Sequence, residues 1–128
     1  MRLLLDTHLL IWAANEPENL SAEAIEFITN RQNTLMFSVA SLWEVAIKQK
    51  LQRSDFYVDP SVLRRGLLET GYEELTITAQ HAIAVAELPV FHKDPFDRIL
   101  VAQAWVEGIL FLTGDRHLMS YPGSIRLV

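Results

Sequence analysis

Short apolar runs alternate along this chain with longer segments of helical pattern, and no other feature narrows the choice of fold as much. Leu3-Leu4-Leu5 reads as a buried strand, and Leu9 to Ala14 as a helix. Ser21 is placed to cap a helix from Ala22 to Asn30, with Ile25 and Ile28 on one face. Thr34 to Ser38 reads as a strand, and Ser41-Leu42-Trp43-Glu44 opens a helix that runs to Leu51. Asp59-Pro60 joins an N-cap to a proline at the first helical position, and Gly71 closes that helix. Leu75 to Ile77 is a third strand, and Thr78 caps a helix to Glu87. Asp94-Pro95 starts another helix, which ends at Gly108; Ile109 to Thr113 and Ser124 to Val128 are the last two strands. Strands separated by helices imply right-handed βαβ units, hence a parallel sheet with helices on both faces. The 128 residues suit a single domain over 1–128, with no repeat, low-complexity tract or linker.

Composition removes several classes of function. With no cysteine, disulfides, thiolate metal sites and cysteine nucleophiles are all excluded. A net charge of −5 makes the chain a poor general binder of polyanions, so any nucleic-acid function must come from a local arrangement. No apolar run approaches the roughly 18 residues of a spanning helix. The N-terminal stretch imitates a signal peptide, but Asp6 and His8 interrupt its apolar region. The expectation is a cytoplasmic protein with no membrane association.

In open α/β sheets, ligands bind at the carboxyl ends of the strands. Two carboxylates stand there: Asp6 directly after the first apolar run, and Asp115 just past the fourth. Glu44 and Asp97 fall in the first turns of helices that follow loops at the same edge, from which side chains reach back toward the crevice. Such a cluster destabilises a fold unless a cation compensates it. Mg²⁺ or Mn²⁺ suits it, since both prefer oxygen ligands and take one or two carboxylates plus phosphate oxygens. The matching reaction is metal-assisted hydrolysis of a phosphodiester. Each acid also has a plain structural reading. Asp6 can cap a helix, Glu44 can form a capping box with Ser41, Asp97 can favour the helix dipole, and Asp115 can serve a turn. Asp94, before Pro95, reads as an N-cap.

The basic residues near these acids stay open between two roles. Arg98 and Arg116 could hold a phosphate backbone over the metal, or form plain ion pairs. Glu44 and Lys48, four residues apart, read as an ordinary solvated pair. No two of His8, His81, His92 and His117 have the spacing of a helical zinc motif, and each reads as structural or exposed. Trp12, Trp43 and Trp105 read as core residues rather than base-stacking platforms. There is no glycine-rich phosphate loop and no nucleophile elbow.

Four blocks, in order and spanning nearly the whole chain, resemble PIN-domain ribonucleases, in particular the VapC-type toxins of toxin–antitoxin pairs. They are Leu3–Trp12, Ser41–Lys48, His92–Ala104 and Leu112–Asp115. The resemblance implies a three-layer α/β/α sandwich around a short parallel sheet, and a Mg²⁺- or Mn²⁺-dependent endoribonuclease. Its four acidic positions fall on Asp6, Glu44, Asp97 and Asp115. Lys93 stands where Arg is commoner. It also implies a homodimer, and inhibition by a small antitoxin protein. Two other readings fit the fold class. A phosphoaspartate signalling or phosphatase domain would need a second acid at position 4, 5 or 8, where Leu4, Leu5 and His8 stand. A non-catalytic binding module on the same fold would not need the acids at all.

Overall fold

Leu3, Leu4 and Leu5 lie wholly buried in the central strand of a parallel sheet, which explains why this stretch carries no polar residue. The computed structural model describes residues 1–51, 58–91 and 93–128, so His92 lies outside the described residues. The strands are β1 (Arg2–Leu5), β2 (Thr34–Ser38), β3 (Glu73–Leu75), β4 (Leu110–Thr113) and β5 (Ile125–Leu127). Their order is β3-β2-β1-β4-β5, and every neighbouring pair is parallel. The chain winds outward from β1 through β2 to β3, then crosses to the other side of β1 for β4. The boundary between β1 and β4 is therefore the topological switch point.

Among the described residues, six α-helices cover the sheet: α1 (Thr7–Asn15), α2 (Ala22–Thr29), α3 (Val39–Lys50), α4 (Pro60–Glu69), α5 (Ala79–Val85) and α6 (Pro95–Glu107). Successive strand residues point to opposite faces, so two cores form. Leu4, Met36 and Phe111 pack with Ala84 of α5 and Leu100 and Val101 of α6. Leu3, Leu5, Phe37 and Leu112 pack with Leu9 and Leu10 of α1 and Leu63 and Leu67 of α4. The result is the expected α/β/α sandwich. Across one core, wholly buried His81 joins two helices. Its Nδ1 accepts the Thr78 N–H at 3.1 Å in a capping box, and its Nε2 lies 2.8 Å from Glu107 at the end of α6. Among the described residues, no helix is long and apolar enough to cross a membrane.

Several sequence expectations shift. The helix expected from Ser41 begins at Val39, because the Ser38 hydroxyl, at the end of β2, accepts the Ala40 N–H at 3.0 Å. Glu44 is thus in the second turn and forms no capping box. β3 lies at Glu73–Leu75 rather than Leu75–Ile77; as an edge strand paired only with β2, it needs little apolar character. α5 stops at Val85 rather than Glu87. Two 3-10 turns, Pro17–Asn19 and Arg116–Ser120, were not anticipated. The tryptophans are not all core: Trp43 is 58% exposed and Trp105 sits at the surface. The helix expected to end at Gly108 does so, with that glycine in the left-handed region at φ 67°.

Candidate active site

Asp6 is the first residue after β1, and its carboxylate fastens three segments together. Oδ1 accepts the Leu9 N–H at 2.9 Å and so caps α1. Oδ2 accepts the Thr113 hydroxyl at 2.6 Å and the Gly114 N–H at 3.2 Å, both from the end of β4. Burial raises the Asp6 pKa above its ordinary value of 3.8; the bonds from Thr113, Leu9 and Gly114 and the nearby charge of His8 oppose that rise. Both carboxylate oxygens accept hydrogen bonds.

Thr113 ties Asp6 to Asp115. Its hydroxyl donates to Asp6 and accepts the Asp115 N–H at 3.0 Å. Asp115 in turn caps the 3-10 turn that begins at Arg116, where its Oδ1 accepts the His117 N–H at 2.9 Å. The His117 ring nitrogen Nδ1 lies 3.0 Å from the same oxygen. Sequence reading overlooked Thr113. The available signal was its position, a hydroxyl at the end of an apolar strand adjacent to β1.

Glu44 comes to the same edge from the other side of β1. It lies in α3 and is 3% exposed. Its Oε2 accepts from Lys48 Nζ at 2.7 Å; its Oε1 is buried with no hydrogen-bond partner among the described residues. The pair exists as the spacing suggested, but it is largely buried rather than solvated. One turn earlier on α3, the Ser41 hydroxyl shares a 2.9 Å hydrogen bond with that of Thr7, the residue after Asp6, and both are buried.

Asp97 is the third residue of α6 and is partly buried. α6 ends just before β4 begins, so its N-terminus lies at the edge where the strands finish. Phe96 meets Trp43 edge-on at 5.0 Å and links this turn to α3 beside Glu44. Asp94 caps the helix, accepting the N–H groups of Phe96 at 2.9 Å and Asp97 at 3.4 Å. The two aspartates of this motif are thus separated by placement.

The arginines also diverge. Arg98 is committed to structure: its guanidinium donates to the carbonyls of Val85, Leu88 and Pro89 at the end of α5, and to the Tyr121 hydroxyl. These bonds go to neutral acceptors rather than to the ion-pair partner expected, and they anchor the turn leading into α6. Arg116, next to Asp115, is exposed, as is Lys93.

Hydrogen bonds therefore join Asp6 and Asp115, while α3 and α6 carry Glu44 and Asp97 to the same edge. Among the described residues no three acidic or histidine side chains close into one metal-holding group. The donors are nevertheless the hard oxygens that Mg²⁺ and Mn²⁺ prefer. Two features fit a cation there: the orphaned Oε1 of Glu44, and the desolvated carboxyl of Asp6.

Known proteins resemble this chain over nearly its full length. The family model described as PIN domain matches residues 3–123. Ribonuclease VapC22 of Mycobacterium tuberculosis (strain ATCC 25618 / H37Rv) is 30% identical over 120 residues, covering 93% of this chain and 91% of that protein. VapBC2 from Rickettsia felis, solved bound to a DNA fragment from their promoter, superposes with a TM-score of 0.74 at 14% identity, over 100% of this chain and 99% of the matched chain. DNA-bound VapBC from Salmonella typhimurium gives 0.66 at 18% identity, over 98% and 97% of the two chains. These two likenesses are of fold.

Proposed function

This chain belongs to the PIN domain family, and from that membership we propose that it is a metal-dependent endoribonuclease, the toxin of a toxin–antitoxin pair. The observation that carries the reading is the placing of two linked acids at the switch point. Asp6 and Asp115 are linked through Thr113 across β1 and β4, and buried Glu44 has an unsatisfied oxygen. One PIN domain over residues 1–128 does the work.

Asp6, Glu44, Asp97 and Asp115 would hold Mg²⁺ or Mn²⁺. When bound, such an ion activates water and neutralises charge on the leaving oxygen. The chain's own residues supply the setting. The Thr113 hydroxyl and the Gly114 and Leu9 amides fix the Asp6 carboxylate, so it need not reorganise when charge arrives. The Thr7–Ser41 bond fixes the start of α1 against α3. Asp94 and Arg98 hold the first turn of α6, which presents Asp97. Exposed Arg116 is the candidate for RNA phosphate.

The partners proposed are RNA as substrate, a small antitoxin protein and a second copy of the chain. The antitoxin is supported by neighbours solved as VapBC assemblies. A cytoplasmic setting accords with an RNA substrate and with the absence of cysteine. The test is incubation of RNA with purified protein in Mn²⁺, in Mg²⁺ and in excess EDTA. Cleavage confined to the metal lanes is expected. Full cleavage by metal-stripped protein would overturn the metal dependence, and no cleavage in any lane would overturn the enzyme.

A further inference from the structure

The Glu44–Lys48 contact differs from an ordinary helical ion pair in where it sits. Glu44 is 3% exposed, whereas the Lys48 side chain keeps 29% of its surface in water. A carboxylate taken that far out of water needs a counter-charge, and the Lys48 ammonium supplies it at 2.7 Å. The compensation is incomplete, because Oε2 is served and buried Oε1 is not. Asp6 is satisfied differently: neutral donors, Thr113 Oγ1 and the Leu9 and Gly114 amides, fill both of its oxygens.

We infer that Lys48 is a resident cation of the acidic site, holding Glu44 when no divalent ion is bound and so weakening the ion's hold there. Lys48 is a positioning residue that acts through Glu44, and the inference rests on the metal-dependent reading above. An ammonium and a divalent ion on one carboxylate repel each other, and water screens that repulsion only partly at such a site. The long, flexible lysine stem, reaching from the interior to the surface, lets the ammonium swing away when the ion arrives. Removing the charge while keeping Glu44 should therefore tighten the ion's binding. A purely orienting lysine would give the opposite result.

The experiment is a Mn²⁺ titration of RNA-free protein read by melting temperature, on wild type, Lys48→Met, Lys48→Gln, Lys48→Arg and Glu44→Gln. Lys48→Met and Lys48→Gln should reach half their Mn²⁺ stabilisation at roughly 5- to 100-fold lower metal, the effect of one unit charge a few ångström away at a partly wetted site. Lys48→Arg, which keeps the charge, should titrate like wild type. Without metal, Lys48→Met should melt lower than wild type, and that loss should shrink when Glu44→Gln is combined with it. Lys48→Gln keeps a donor for Oε2 and serves where Lys48→Met does not fold. An unchanged or raised Mn²⁺ midpoint in the charge-removing variants, beside a normal wild-type shift, overturns this inference and leaves the metal reading standing. A wild type that Mn²⁺ does not stabilise overturns both.

Discussion

The two halves of the candidate site are built in contrasting ways. At the β1–β4 boundary, Asp6 is held by three hydrogen bonds, from donors at the end of β4 and in the first turn of α1, and Asp115 is tied to the same threonine. On α3, Glu44 depends on one flexible ammonium and keeps an oxygen unsatisfied. The first half is organised in advance. The second keeps a buried oxygen unsatisfied, and on the proposed reading a divalent ion would serve it. Acids at strand ends are held rigidly, while the acid on α3 keeps unused capacity.

Mutations can break this contrast, and the largest effects should fall on the acids. Asp6→Asn should lower metal-dependent RNA cleavage by at least about a hundredfold, since loss of a supporting residue alone costs 10- to 100-fold. It should also lower stability by roughly 1–2 kcal/mol without metal. However the asparagine amide turns, an NH₂ faces either the Leu9 N–H or the Thr113–Gly114 donors. A folded Asp6→Asn that cleaves normally would remove Asp6 from the site.

Thr113→Val comes next. It keeps the shape of the side chain but leaves Asp6 Oδ2 with one donor and the Asp115 N–H without the Thr113 oxygen. Cleavage should fall about 10- to 100-fold and stability by about 1–3 kcal/mol. Single-turnover rates and denaturant unfolding measure the two. A silent Thr113→Val would mean that the strand half is not organised through this hydroxyl.

The capping aspartate should show a smaller effect, confined to stability. Asp94→Ala should cost about 0.5–2 kcal/mol, and Asp94→Asn close to nothing, with cleavage kept in the asparagine variant. Asp97→Asn should do the reverse, keeping the fold and losing most of the cleavage. If Asp94→Asn is inactive but folded, Asp94 belongs to the site as well.

The smallest effect is a pH dependence. The pKa of Asp6 is raised in the native state, so its stabilising contribution is complete below the ordinary value of 3.8 and is lost as pH rises through the native value. The stability gap between wild type and Asp6→Asn should therefore narrow as pH rises across that interval. Melting curves of both proteins measured over pH, without metal, would show it. A gap that widens would mean that the hydrogen bonds outweigh burial.

How far the sequence could be read depended on whether a residue's role is local. Strand β2 emerged at Thr34–Ser38, and the caps at Ser21, Asp59, Thr78 and Asp94 were legible, because a cap bonds within its own turn. The start of α3 was hidden because Ser38 closes a strand and caps a helix at once, and Ser41 was the more conspicuous candidate. β3 was misplaced because an edge strand needs no apolar run. The four acids could be named from their position after strands and in helix turns. What each bonds to could not, since the partners of Asp6 lie more than a hundred residues away, at Thr113 and Gly114. Arg98 was obscure for the same reason, its acceptors being carbonyls that only the packing of α5 on α6 brings within reach. Trp43 had the helical spacing of a core residue and is exposed; spacing says which face it shares, not what covers that face.

The place of β1 in the sheet also governs when the Asp6 end of the candidate site can assemble during synthesis. β1 leaves the ribosome before β4, yet it has β4 as one of its two neighbours, and Asp6 waits for a hydroxyl 107 positions further on. At about 5–20 residues per second, that interval lasts roughly 5 to 20 s. Until then one flank of the central strand is unpaired, and the nascent chain carries its first acid without the bracket that orients it. The bracket around Asp6 can close only after Thr113 has emerged and β4 has docked beside β1.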